Sequence, residues 1–196
     1  MTLVARMRRR LGAQGGYTLV ETLTVLLILG VVMGGLTTVL ASATNADADM
    51  NNRFQAQQAT RLAMDKLRRE IHCSSSATPA ATATSSITLT LPSYCKTYSG
   101  SVSVTWCTRS VSTNRYALYR VNGSTCTGGV KWADFLTPTS TATVCSGALC
   151  VFNYTAQSAT SLAKLHVDFP VNPKPTRTVD TYELVDDLVL RNSTRS

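Results

Sequence analysis

Gln14-Gly15-Gly16-Tyr17-Thr18-Leu19-Val20-Glu21, continuing into Thr22–Ala41 (TLTVLLILGVVMGGLTTVLA), is the stretch whose reading decides how this chain is organised. Thr22–Ala41 is 20 consecutive residues without a charge. As a helix rising about 1.5 Å per residue it spans about 30 Å, the thickness of a bilayer's hydrocarbon core. A buried helix of a soluble core is usually shorter and carries a polar stripe, whereas this segment has only scattered threonines. Its flanks differ in sign: Arg6, Arg8, Arg9 and Arg10 precede it, and Asp47 and Asp49 are the first charges after it. The positive-inside rule then predicts a single-pass protein of the cytoplasmic membrane, with its N-terminus in the cytoplasm and everything after Ala41 outside.

Working outward, the charge balance supports the same division. The chain has 196 residues and a formal charge of +8, with 15% charged residues. That composition excludes a highly charged disordered tail and a multi-span membrane protein. Four of the net charges come from the arginine cluster at positions 6–10; without it, 15 basic residues face 11 acidic ones. The excess is therefore a local address label before it is a nucleic-acid surface.

Glu21 is the informative residue. A carboxylate at the mouth of a membrane helix is expensive to desolvate and implies a partner, and an ordinary export signal has no use for it. With the basic leader, Gly16, an aromatic Tyr17, small or branched residues and a glutamate fifth from Tyr17, the sequence resembles the type IV pilin family. That family includes the pseudopilins of type II secretion and the competence pilins. The one departure is Tyr17, where the family usually has phenylalanine. The resemblance implies that prepilin peptidase cuts between Gly16 and Tyr17 on the cytoplasmic side and that the freed Tyr17 amine is N-methylated. A residue without a side chain before the scissile bond allows close backbone approach. It further implies that Glu21 meets the Tyr17 amine of a neighbouring subunit as the helix enters a filament, pairing two charges that are costly apart. Gly30 and Gly34 form a Gly-x-x-x-Gly spacing that permits close helix packing. The rival reading is a secretory signal, with Ala41-Ser42-Ala43 as a cleavage site releasing a disulfide-bonded domain near Ala43. Against it, the apolar run is too long and Glu21 interrupts its start.

From Asn45 to Cys73 there is neither proline nor glycine. Ala56, Ala59, Ala63, Leu67 and Ile71 recur at helical spacing, with Met64 beside them. Arg61–Asp65, Asp65–Arg69 and Lys66–Glu70 fall at i,i+4, as pairs on an exposed side. The expectation is one helix over about 17–73, roughly 80 Å long, membrane-embedded over about 18–41, after a leader of residues 1–16. Lys66-Leu67-Arg68-Arg69 reads as a solvated face before it reads as a lipid or DNA site.

Residues 74–196 are predicted to form an exported β-rich head. Ser74–Ser86 contains only Ser, Ala, Thr and Pro, which predicts a loop. The period then changes to two in Ile87–Leu91 and again in Val102, Val104 and Trp106. Tyr116–Val121, Cys150–Tyr154, Leu162–Phe169 and Tyr182–Arg191 are further strand candidates. In Leu162–Phe169, Leu165, Val167 and Phe169 face one way and Lys164, His166 and Asp168 the other. Asn122-Gly123 signals a turn, Pro170–Pro175 a break, and Asp186-Asp187 a bulge or an exposed edge. The fold class is α+β, pilin-like: a long N-terminal helix packed on an antiparallel β-sheet head.

All six cysteines, Cys73, Cys95, Cys107, Cys126, Cys145 and Cys150, follow the apolar segment, which predicts up to three disulfides in the head. Fifteen connectivities are open; Cys145 with Cys150 would close a small loop, and Cys73 would tie the helix end to the sheet. With no C-x-x-C and only His72 and His166, the sequence offers no metal site and no cofactor. No catalytic constellation is present: a base beside a nucleophile has only two histidines to draw on. The resemblance favours a minor subunit, one that initiates or caps a filament, and its partners are the other pilins or pseudopilins. The alternative is a tip module holding DNA or a surface ligand, with Arg115 and Arg120 flanking Tyr116 and Tyr119 as a basic and aromatic grip.

Overall fold

The computed structural model describes residues 18–95, 100, 102–177 and 180–192. One helix, α1 (Leu19–Cys73), is followed by eleven strands. They are β1 (Ser76–Thr78), β2 (Ala83–Thr84), β3 (Ser86–Thr90), β4 (Ser103–Ser112), β5 (Arg115–Asn122) and β6 (Val130–Leu136). Then come β7 (Val144–Cys145), β8 (Ala148–Leu149), β9 (Phe152–Thr155), β10 (Lys164–Val171) and β11 (Tyr182–Val189). Two compact units divide the chain after Asp49, inside α1. The first is helix alone among the described residues; the second contains the rest of α1 and all the strands.

In the second unit, nine strands form one antiparallel sheet in the order β1-β3-β4-β5-β6-β10-β9-β2, with β11 also on β10. β11 pairs with β10 along its whole length, Lys164↔Val189 to Val171↔Tyr182, so β9 and β6 share the other edge of β10. β7 and β8 make a separate hairpin. The Met50–Cys73 part of α1 buries Ala56, Thr60, Ala63, Met64, Leu67, Glu70 and Ile71. Leu67, Ile71, Ile87, Leu89, Trp106 and Phe169 are fully shielded in one core. Each such large apolar side chain contributes about 1.5–3 kcal/mol by leaving water. Helix propagation stops where its last carbonyls find other donors. The Ser74 amide bonds the carbonyls of Glu70 (2.8 Å) and Ile71 (3.2 Å), and Asn192 Nδ2 bonds that of Cys73 (3.1 Å).

Several expectations are corrected. Ser74–Ser86 is not simply a loop: Ser76–Thr78 pairs with Thr88–Thr90, and Ala83–Thr84 pairs with Phe152 and Asn153. Small hydroxyl residues can extend a sheet edge without alternation, because the backbone ladder holds them there, joined in β1 by the Ser76 hydroxyl bonding the Thr90 hydroxyl at 2.9 Å. Pro170 does not break β10, which runs on to Val171; the Pro170 carbonyl accepts from the Thr137 amide at 3.0 Å. Asp168 alternates with the polar residues of β10 but is buried, because the 137–143 segment covers it. Of the two alternatives for Asp186-Asp187, the edge holds and the bulge does not: they lie on an edge strand in unbroken register. β6 escaped the period-two reading because its register against β5 shifts around Leu118 and its Phe135 adopts a left-handed φ of 63°.

The helical ion pairs also rearrange. Asp65 is held by Arg68 at 3.0 Å instead of by Arg61 or Arg69, and Arg61 donates to the Tyr182 hydroxyl. Lys66 and Glu70 approach to 3.5 Å, but Glu70 is fully buried and not on an exposed face.

The disulfides are Cys73–Cys95, Cys107–Cys126 and Cys145–Cys150, with Cα separations of 5.8, 6.1 and 5.8 Å. The first holds the end of α1 to the segment after β3, the second joins β4 to the β5–β6 loop, and the third spans the β7–β8 hairpin.

Candidate functional site

Two regions gather the chemistry: the N-terminal part of α1 and the charged seam between its C-terminal part and the sheet. The helix begins at a cap. Thr18 Oγ1 accepts from the Glu21 amide at 3.3 Å, and the Thr18 carbonyl accepts from the amides of Glu21 (3.0 Å) and Thr22 (3.2 Å). Thr18 and Glu21 have the spacing of a capping box, which places the carboxylate in the first turn, where the positive end of the helix dipole favours it. Glu21 is exposed and makes no ion pair among the described residues.

Beyond it, the apolar residues are bare. Leu19, Leu26, Val31 and Leu40 are each more than 60% exposed, and an 18-residue window of this helix long and apolar enough to cross a membrane is 0% buried. Such a surface is far larger than a monomer in water tolerates and demands lipid or other helices. Its polar atoms are already satisfied. The hydroxyls of Thr22, Thr24, Thr37, Thr38, Ser42 and Thr44 each donate to the carbonyl three residues earlier, at 2.8–3.0 Å. Sequence reading saw these residues only as scattered polarity; their shared helical geometry makes them compatible with hydrocarbon. At Gly30 and Gly34 a Cβ would meet nothing within 4 Å among the described residues, so that face is open to a neighbour. Gly16 and Tyr17 lie outside the described residues.

In the seam, Glu70 Oε1 accepts from Arg120 Nε at 2.8 Å, and Arg68 reaches Asp186 at 2.7 Å. Asp186 holds the Arg68 guanidinium above its ordinary range, chiefly through their hydrogen bond. Arg53 bonds Asp180 at 2.6 Å, and His72 Nδ1 lies 2.9 Å from the Val189 carbonyl, so Nδ1 carries the proton there. These long-range pairs were invisible to a reading by sequence spacing.

The basic and aromatic grip does not assemble. Arg115 forms a fork onto Asp134 at 3.0 and 2.9 Å and stacks on Phe135, while Arg120 is turned to Glu70. Tyr116 is buried, and Tyr119 is covered by the Arg109 guanidinium at 3.8 Å. Lys66 and Arg68 of the helix cluster are likewise engaged with carboxylates.

Residues 11–37 match the family model described as the prokaryotic N-terminal methylation motif. No curated protein and no solved structure matches the chain. The match covers the segment whose capped start, early carboxylate and bare apolar surface are described above. The chain therefore carries, at residues 11–37, the signature of the type IV pilins and pseudopilins, which points to a structural subunit.

Proposed function

We propose that this chain is a prepilin-like structural subunit, cleaved after Gly16 and assembled through α1 into a filament of the type IV pilus, type II secretion or competence kind. The observation that carries this reading is the methylation motif at 11–37 coinciding with the N-terminal segment of α1, whose apolar residues are bare of partners among the described residues. Prepilin peptidase removes residues 1–16 and methylates Tyr17. The segment then anchors the protein in the cytoplasmic membrane, head outward, and Glu21 meets the Tyr17 amine of the next subunit. Gly30 and Gly34 supply the close approach between helices. The subunit is a minor one, initiating or capping the polymer.

Release near Ala43 fits less well. The helix runs unbroken through Ala41–Thr44, with Ser42 and Thr44 bonded inside it, whereas a protease needs an extended strand.

Mass spectrometry of the membrane fraction tests the proposal. The expected mature N-terminus is Tyr17, heavier by one methyl group. A start at Thr44 in the medium, or an intact Met1, overturns it. Subunit counting in sheared filaments tests the minor role: this chain should be outnumbered by at least one other pilin, and a chain that dominates the count is a major subunit.

A further inference from the structure

We draw no further inference here: the strongest candidate, the exposed apolar side chains Met50, Phe54 and Leu62 on the open side of the Met50–Cys73 part of α1, carries nothing, because nothing in the structure shows what covers that face beyond the helix packing already proposed for assembly.

Discussion

Glu70 Oε2 accepts a hydrogen bond from Trp106 Nε1 at 2.7 Å, with both residues fully removed from solvent. A helix thus hands a carboxylate into the core of its own head, where Arg120 approaches the second oxygen at 2.8 Å. Both carboxylate oxygens are occupied, and the single indole N–H is spent on one of them. This arrangement fixes the rotation of α1 against β4 and β5.

Replacing Glu70 with Ala removes the acceptor of both the Trp106 N–H and Arg120 Nε, although Arg120 keeps its bond to Asn122 Oδ1. The expected loss is about 3–5 kcal/mol, the usual cost of removing one member of a buried pair. Denaturant unfolding of the full chain in micelles reads it, and Glu70→Gln, which keeps an acceptor for Trp106, should lose less.

Gly129 has a φ of +83°, and a Cβ there would meet the Arg120 carbonyl oxygen and, at 2.7 Å, Val121 Cγ2. Gly129→Ala is expected to cost roughly 2–4 kcal/mol from backbone strain and clash combined. Gly147 has a similar φ of +81° but open space around it, so Gly147→Ala should cost only about 1–2 kcal/mol. Thermal unfolding of the two variants side by side separates sterics from conformation.

Acid should weaken the head through three aspartates. At Asp134 burial acts to raise the pKa, but hydrogen bonds from Arg115 and Lys131 and from the Phe135 amide outweigh it and hold the group below its ordinary 3.8. Asp187 is lowered by its hydrogen bonds to His166 and Lys164, and Asp180 mainly by that to Arg53. A folded pKa below the unfolded one means stability that is complete above about pH 4 and is lost as pH falls through the lowered values. A thermal melting series from pH 7 to 2 should show this limb, and Asp134→Asn should flatten it. Added salt should shrink the share of the exposed Asp187.

The Cys73–Cys95 disulfide closes a separation of 22 residues and Cys145–Cys150 one of 5. On the chain-entropy account, removing the first costs about 3 kcal/mol and the second about 2 kcal/mol. Paired Cys→Ser variants, compared by denaturant midpoint, check the order.

Glu21→Ala should leave the protein in the membrane and reduce filament incorporation by roughly tenfold or more, the equivalent of about 1.4 kcal/mol or more in subunit addition. Immunoblots of sheared and membrane fractions distinguish this from simple loss of the protein.

What the sequence disclosed depended on the range of the interaction. The methylation motif at residues 11–37 is one short run, and the apolar helix behind its start is a matter of local composition, so both were readable. Ile87, Leu89, Val104 and Trp106 betrayed their strands by alternating. Glu70 misled because its spacing from Lys66 suits a surface pair, yet it shares a face with Leu67 and Ile71, and only the arrival of Trp106 and Arg120 makes burial tolerable. β1 and β2 were illegible because Ser, Ala and Thr mark a strand only through the partner that pairs with them. Asp168 gave no sign of burial, since its cover comes from Thr141, 27 residues away. The cysteine partners, apart from neighbouring Cys145 and Cys150, were likewise set by sheet topology.

The six inward-bonded hydroxyls between Thr22 and Thr44 bear on how easily the helix changes solvent. Because each is spent on its own backbone, exchanging acyl chains for neighbouring helices requires no hydrogen bond to break and none to form. Such a surface is greasy and indifferent: it grants mobility in the plane but says little about who the neighbour should be. Under the proposed assembly, discrimination falls to Glu21, the carboxylate one residue before that stretch, a single charge on an otherwise permissive cylinder.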